Sequence, residues 1–432
     1  MKSKKVFVQT VGCRLNQYES ERIATQLTPY GFERALKGEK ADLYILNTCT
    51  VTHRADSDCR NLIRKAVRTN PRSRIVVTGC YVDNDPEKIS GMEGVDLIIH
   101  NAEKDNMIKI LPERLPDLFN FEPDKNCSPI ITDFSNHNRA WIKISDGCNQ
   151  YCSFCIIPTV RGKLRSRPVK AIIEEINSLV ENGYKEIVLT GVHIGHYKNR
   201  KTEPQVKNLA ALCRMIMKET DLYRLRISSI EPQTVSDELV EVYADANGRI
   251  CRHMHIPLQS GSSRMLKQMR RPYNQKTYIK RVTTLKQALE NSIIGADVIV
   301  GFPGETEEDF DHTRRLVESG LIDYLHVFSY SDRRNTPASQ MSGKISPLII
   351  KERNAILTRI SNRLREESHK RQVSKVLEVI SEHKKTIEGH YCGVSDNYVR
   401  VKLPGKTIRG RNIIKVRINS ATADYVEGNI IP

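Results

Sequence analysis

Between residues 140 and 330 the chain alternates short β-type runs with helical ones, and this alternation restricts its fold more than any other feature. "AWIKIS" opens the series. Then "AIIEEINSLVENG" precedes "EIVLTG", "LAALCRMIMKET" precedes "RLRISS", and "DELVEVYAD" precedes "RHMHIPL"; "YIKRVTTLKQALEN" precedes "ADVIVG", and "FDHTRRLVESG" precedes "DYLHVFSY". Six strands joined by helical crossovers predict a parallel set curling into a full or partial TIM-like barrel, with ligands gathering at the strands' carboxyl ends. Directly after the first of these strands stand Cys148, Cys152 and Cys155, spaced CxxxCxxC. That spacing brings three sulfurs into one loop. A zinc site asks for a fourth Cys or His at similar spacing, and none follows nearby, so the sulfurs favour an iron–sulfur cluster with one iron free of protein.

The first hundred residues repeat the alternation on a smaller scale. "VFVQT", "LYILN" and "RIVVTG" are short and rich in β-branched residues, and they are separated by "YESERIATQLTPYG" and "ADSDCRNLIRKAVRTNP", which have helical spacing and a Gly or Pro stop. This βαβαβ pattern predicts a doubly wound parallel sheet covered on both faces. Cys13 follows the first strand, Cys49 the second and Cys80 the third, so all three are expected at one edge of the sheet. They form a ligand set for a four-iron cluster with one open iron, or for a catalytic zinc with an open position. Cys59 falls within the second helical stretch and is read as structural.

A chain of 432 residues, 39% hydrophobic, predicts two or three domains with real cores. No run of about 18 apolar residues occurs, and "MKSKKVFVQTVGC" passes from basic residues straight into a strand, which predicts a cytoplasmic protein with no membrane partner. Eleven cysteines, an odd number, point in a reducing compartment to metal or catalysis rather than a disulfide framework. The net charge of +17 predicts a polyanionic partner, with nucleic acid first.

Toward the C-terminus, residues 346–372 read as one long helix opened by Ser-Pro that braces the barrel and ends that domain. Beyond it, short β-runs broken by Gly, Asn and Pro predict a small β-barrel. From Arg371 to Pro432 there are eleven Lys and Arg against six Asp and Glu, and Tyr391 and Tyr398 offer stacking surfaces, both of which suit RNA.

The CxxxCxFC loop after the first strand of a six-strand βα series resembles the radical S-adenosylmethionine (SAM) superfamily. More narrowly, "GCNQYCSFCIIPTVRGKLRSRP", "LTGVHIG", "SSIEP", "HIPLQSGSSRMLKQMRR", "DVIVGFPGETEEDF" and "VFSYSDRRNTPA" resemble the methylthiotransferase family, and the last segment resembles a TRAM domain. The resemblance implies three domains: residues 1–120 with an auxiliary cluster, 138–370 as the radical SAM domain, and 371–432 as a TRAM-like RNA-binding domain. It implies that Cys13, Cys49 and Cys80 bind an auxiliary 4Fe–4S cluster and that Cys148, Cys152 and Cys155 bind the SAM cluster. One electron then cleaves SAM to a 5′-deoxyadenosyl radical, and a second SAM methylates a sulfide that is passed to the substrate carbon. It implies tRNA as a partner, and an electron donor such as flavodoxin or ferredoxin.

Phe154 resembles the aromatic residue that packs beside the SAM adenine. Gly191 stands where many radical SAM enzymes carry Gly-Gly-Glu, here with Thr190 and Val192 as neighbours. Ser229, Glu231 and Gln259 lie past strand ends, where ribose or methionine groups can be hydrogen-bonded. "GFPGET" lacks the Lys-Ser/Thr ending of a phosphate loop and reads as a strand-to-helix turn with Thr306 as N-cap. His53, His193 and His255 read as ordinary polar side chains.

"GCRLNQYES" and "NTCTVTHRAD" resemble the branch acting on threonylcarbamoyladenosine at position 37 of tRNA. The isopentenyladenosine branch, or the one modifying an aspartate of ribosomal protein S12, is the alternative; a non-catalytic, zinc-stabilised RNA-binding protein is the rival from another class. A threonylcarbamoyl carboxylate calls for a basic contact, for which Arg161 and Arg165 are candidates.

Overall fold

The computed structural model describes residues 4–119, 122–124, 127, 130–134, 137–199, 204–385, 390–403 and 410–431; the expected boundary at residue 120 lies outside them. The chain forms two compact units. One comprises residues 1–132, 146–165 and 331–336, and the other 133–145, 166–330 and 337–432.

In the first unit, β1 (Lys4–Thr10), β2 (Phe32–Arg34), β3 (Leu43–Thr48), β4 (Arg74–Gly79) and β5 (Leu97–Ile99) form a sheet in the order β2-β1-β3-β4-β5, parallel throughout. β1, β3 and β4 are the strands expected from sequence; β2 and β5, three residues each, are too short for the apolar period to show. The helices are α1 (Arg14–Leu27), α2 (His53–Thr69), α3 (Cys80–Asn84), α4 (Pro86–Ser90) and α5 (Met107–Arg114). Strand alternation divides the core between the two faces. Val6, Ile45 and Val76 pack with Ile23 and Leu27 of α1 and Leu111 of α5, while Leu46, Ile75 and Val77 pack with Cys59 and Ile63 of α2. Cys59, fully buried there, is the structural cysteine its helical position implied.

The second unit is built from six parallel strands and a two-residue edge strand, followed by a closed barrel. Strand β6 (Ala140–Asp146) leads into the cysteine loop and α6 (Ile157–Arg161), after which come β7 (Arg165–Ser166), α7 (Val169–Glu181), β8 (Glu186–Gly191), α8 (Leu209–Glu219), β9 (Arg224–Ile227) and α9 (Asp237–Asp245). The series continues with β10 (His253–His255), α10 (Ser263–Gln268), α11 (Gln275–Ala288), β11 (Ile293–Val300), α12 (Glu307–Glu318) and β12 (Tyr324–Ser329). Hydrogen bonding groups them as β7-β6-β8-β9 and β10-β11-β12, and a parallel bridge from Leu225 to Ile250 links the two arcs. This is the expected partial (βα)6 barrel. Thr306 caps α12 through a reciprocal capping box with Asp309, so "GFPGET" is the turn its composition indicated.

The long helix α13 (Pro347–Lys370), with Ser346 at its N-cap, precedes β13 (Val376–Lys385), β14 (Tyr391–Ser395), β15 (Arg400–Leu403), β16 (Ile413–Ala421) and β17 (Val426–Ile431). These five strands close in the order β13-β14-β15-β17-β16 around Leu377, Val379, Val401, Val416 and Ile418. Tyr398 is no open stacking surface: its ring lies 4.3 Å from that of His253 and beneath the Arg226 guanidinium. Among the described residues no helix is long and apolar enough to cross a membrane.

Candidate functional site

The carboxyl edge of the N-terminal sheet is held together by short polar side chains where one would expect loose loops. Thr48 Oγ1 donates to Thr78 O (2.6 Å), and Thr78 Oγ1 to Ile99 O (2.7 Å), tying β3 to β4 and β4 to β5 just before the cysteines. Asn16 Nδ2 donates to Val11 O and Thr48 O, and Asn47 Nδ2 to Asn16 O, which fixes the loop after β1 against the loop after β3. All these groups are buried or nearly so, where each missing bond would cost about 1–3 kcal/mol.

Two glycines allow the close approach. At Gly12 (φ +112°) a Cβ would sit 2.8 Å from the Cys49 Cβ, and at Gly79 (φ +102°) it would sit 2.4 Å from Thr48 O. The three strand ends therefore deliver Cys13, Cys49 and Cys80 to one place: Cys13 and Cys80 both act electrostatically on Cys49. Burial pushes the Cys49 thiol up to about 11 and raises that of Cys80 as well. Such sulfurs become thiolates only beside positive charge, which is what a metal centre or an iron–sulfur cluster supplies.

The second cysteine group belongs to the same compact unit. Its loop closes where the Cys148 N–H donates to Gly162 O (3.0 Å), and the Cys155 N–H donates to Cys152 O (3.0 Å). Gly147 (φ +70°) is packed against that closure, so that a Cβ there would lie 2.2 Å from Lys163 O. Cys148 and Cys152 are buried and Cys155 is half-buried. Three thiols in each group fit a four-iron cluster with one open iron.

Arg161, at the end of α6, ties the two groups together. Its Nε donates to Cys80 Sγ (3.2 Å), Nη1 to Glu19 (2.8 Å) and Asp146 (3.0 Å), and Nη2 to Asn16 (2.6 Å) and Glu19 (3.2 Å). Every guanidinium N–H is used and the side chain is 2% exposed, so Arg161 has no donor left for a substrate carboxylate, contrary to the sequence expectation. Arg165 is exposed. Lys104 Nζ reaches Glu19 (2.8 Å), making a buried Lys–Glu–Arg triad, and Ile156 and Val160 pack on Cys80. Arg333, also buried, holds Asp56 (2.8 Å) and Thr50 (2.7 Å) beside Cys49. None of these polar partners was singled out from sequence; the one signal is the cluster of Asn, Glu and Ser inside the α1 stretch "RLNQYESER", polar residues at positions its apolar period would bury.

The remaining candidates fall in both units. Phe154 lies half-buried in the cysteine loop. Gly191 ends β8, where a Cβ would sit 2.6 Å from Ser145 Oγ, so glycine is required for β8 to approach β6. Ser229 is exposed after β9, and Glu231 is ion-paired with Arg271. Gln259 is buried beyond β10 in a left-handed conformation (φ +64°) and bridges to Val298. Gly191, Ser229, Glu231 and Gln259 thus follow neighbouring parallel strands. His193 is buried, stacked on His196 and lowered to about 4 by that burial, as suits a neutral packed side chain.

Comparison with known proteins accords with this arrangement. The Radical SAM superfamily matches residues 142–317, and the Uncharacterized protein family UPF0004 matches residues 5–100. The threonylcarbamoyladenosine tRNA methylthiotransferase MtaB of Bacillus subtilis is 38% identical over 99% of this chain and 96% of that protein. The tRNA-2-methylthio-N(6)-dimethylallyladenosine synthase of Thermodesulfovibrio yellowstonii is 32% identical over the full length of both. Among solved structures, the radical SAM methyltransferase TsrM of Kitasatospora setae superposes with a TM-score of 0.59 at 13% identity, covering 83% of this chain and 89% of that one, a likeness of fold. With both matched regions and full-length relatives in agreement, the chain belongs to the radical SAM tRNA methylthiotransferases, enzymes that use SAM and 4Fe–4S clusters.

Proposed function

We propose that this enzyme transfers a methylthio group to carbon 2 of N6-threonylcarbamoyladenosine at position 37 of tRNA, in the cytoplasm, consuming two SAM molecules. In this reading Cys13, Cys49 and Cys80 hold the auxiliary cluster and Cys148, Cys152 and Cys155 the SAM cluster, within functional segments 1–120, 138–370 and 371–432. The observation that carries it is the union of two three-cysteine groups in one compact unit, joined through Arg161, with Cys49, Cys80, Cys148 and Cys152 buried, Cys155 half-buried and Cys13 exposed. Replacing an aromatic C–H by C–S at neutral pH lies beyond side-chain acid–base chemistry, and the bound cofactors supply the radical and the sulfur. The chain's own residues position them: Gly12 and Gly79 bring the strand ends together, Gly147 closes the second loop, and Arg161 fixes the Cys80 sulfur. Phe154, Gly191, Ser229, Glu231 and Gln259 are assigned to SAM, with Glu231 held in place by Arg271. tRNA, SAM and a small electron-transfer protein are the partners, the basic C-terminal barrel serving the RNA.

The threonylcarbamoyl substrate is favoured by the MtaB relatives at 38%, 34% and 33% identity, beside the dimethylallyl-named relatives at 32%. Nucleoside mass spectrometry of tRNA from cells lacking the gene tests it. Loss of 2-methylthio-threonylcarbamoyladenosine with accumulation of its precursor, restored by the wild-type gene and not by Cys13→Ala, is expected. Persistence of that nucleoside with loss of the isopentenyl form would move the enzyme to the other branch.

The cluster assignment carries its own prediction. Gly147→Ala places a Cβ 2.2 Å from Lys163 O and opens the loop that gathers Cys148, Cys152 and Cys155. Anaerobically reconstituted Gly147→Ala protein is expected to lose about four of about eight irons per chain. Retention of all of them would show that the loop tolerates the added carbon.

A further inference from the structure

On β10, β11 and β12 a second group of side chains converges that the cluster chemistry does not use. Alternation along β12 places Tyr324, His326 and Phe328 on the face opposite Leu325, which is buried beside α13 and whose N–H donates to Ser361 Oγ of that helix (2.8 Å). β12 pairs in parallel register with β11, Asp297 opposite His326. One Asp297 oxygen lies 2.8 Å from His255 Nε2 and 3.3 Å from His326 Nδ1, and the two imidazoles stack with centroids 5.0 Å apart. Tyr324 OH lies 3.4 Å from His255 Nδ1 and 2.8 Å from His253 Nε2, so the inner histidines are braced. His255 is buried, whereas the His326 side chain is 53% exposed and Phe328 beside it is 46% exposed.

The chemistry is that of an anion receptor with a built-in counter-charge. Ionised Asp297 accepts only, so both imidazoles must present an N–H to it. Burial would keep the Asp297 carboxyl protonated, but the bonds from His255 and His326 more than reverse this and hold it well below the usual carboxylate range. With Nδ1 directed at Asp297, the other ring nitrogen of His326, Nε2, is left for a ligand on the half-exposed side chain, and Phe328 adds an apolar surface.

We propose that His326, fixed by Asp297 and His255, receives the carboxylate of the substituent on the substrate adenosine. This rests on the threonylcarbamoyl reading above, and gives His326 the role that the saturated Arg161 cannot fill. The group is a specificity determinant in this assignment; an isopentenyl substituent has nothing for it to bind. The same three side chains could ligate a divalent cation, so the test includes metal analysis.

The experiment measures binding of anticodon stem-loop RNAs to anaerobically reconstituted holoenzyme. The RNAs carry threonylcarbamoyladenosine, its carboxamide analogue or isopentenyladenosine, and the proteins are wild type, His326→Leu and His326→Lys. Wild type is expected to bind the carboxylate RNA about tenfold more tightly than the carboxamide, as suits a charge-assisted bond at a partly exposed site. The ratio should fall to about one in His326→Leu and recover in His326→Lys, with iron content unchanged in all three. An equal carboxylate preference in wild type and His326→Leu overturns the assignment while leaving the substrate reading intact. Wild type that prefers the isopentenyl RNA overturns both. Stoichiometric zinc bound by wild type and lost in His326→Leu overturns it in favour of a metal site.

Discussion

Arg161→Gln is expected to lower the first thermal transition of the holoenzyme by about 10 °C and to abolish modification of tRNA in cells. The guanidinium is 2% exposed and spends all five N–H groups on Glu19, Asp146, Asn16 and Cys80. Glutamine reaches none of that set in full, and it strips Glu19, 4% exposed, of its guanidinium partner while Lys104 stays. Breaking one side of a buried ion pair costs about 3–5 kcal/mol, and each kcal/mol moves a unit of this size by about 2–4 °C. Arg161→Lys keeps the charge but has three donors on one nitrogen in place of a planar fork, so it should recover less than half of the loss. Arg165→Gln, an exposed change four residues away, should melt within about 1 °C of wild type. Calorimetry of the three variants decides the matter: if Arg161→Gln melts with wild type, the network contributes nothing to the fold. Because Nε donates to Cys80, the loss of modification should appear even below the melting temperature.

How far the sequence could be read follows from what kind of signal each feature leaves. The six barrel strands and the three cysteine-bearing strand ends were legible because each couples a periodic apolar run to a chemically distinctive residue at its end. α13 was legible from Ser-Pro, and the turn at Thr306 from the missing Lys-Ser/Thr ending and a threonine placed as N-cap. β2 and β5 were not, since three residues of parallel strand gain their stability from neighbours in the sheet and carry no period of their own. Arg161 was noticed but misread: next to a cysteine loop an arginine suggests a ligand contact, and only the packing shows every donor already taken. His326 left no signal at all, because its significance depends on Asp297 in another strand, and parallel register between β11 and β12 is set by the crossover through α12. Tyr398 was misread for a similar reason, its ring being covered by His253 and Arg226 from distant segments.

Charged residues inside otherwise apolar strands were a further signal passed over, and they support the second large effect. "EIVLTG" begins with Glu186, which is fully buried, and "RLRISS" carries Arg224 and Arg226, at 1% and 0% exposure. Glu186 accepts from Arg224 Nε (2.6 Å) and Arg226 Nε (2.7 Å), with Arg139 at 3.5 Å. The two guanidiniums then spend their remaining groups on the C-terminal strands: Arg224 donates to Glu378 O and Val394 O, and Arg226 to Ser395 O and Asp396 O. One carboxylate therefore sets the geometry by which β8 and β9 grip β13 and β14. Glu186→Gln keeps the shape but leaves three guanidiniums around a neutral amide, at a cost of about 3–5 kcal/mol. The pH dependence gives the test its sign. Burial alone would raise the Glu186 pKa, but Arg224, Arg226 and Arg139 hold it far below the usual carboxylate range. A folded-state pKa below the unfolded value of about 4.3 means that the contribution is fully present above that pH and fades as pH falls beneath it. Denaturant midpoints for wild type and Glu186→Gln should therefore lie far apart at neutral pH and approach one another below about pH 4, as protons enter the unfolded wild-type chain at Glu186. A gap that stayed constant down to acid pH would mean that the charge on Glu186 is not what holds the two barrels together.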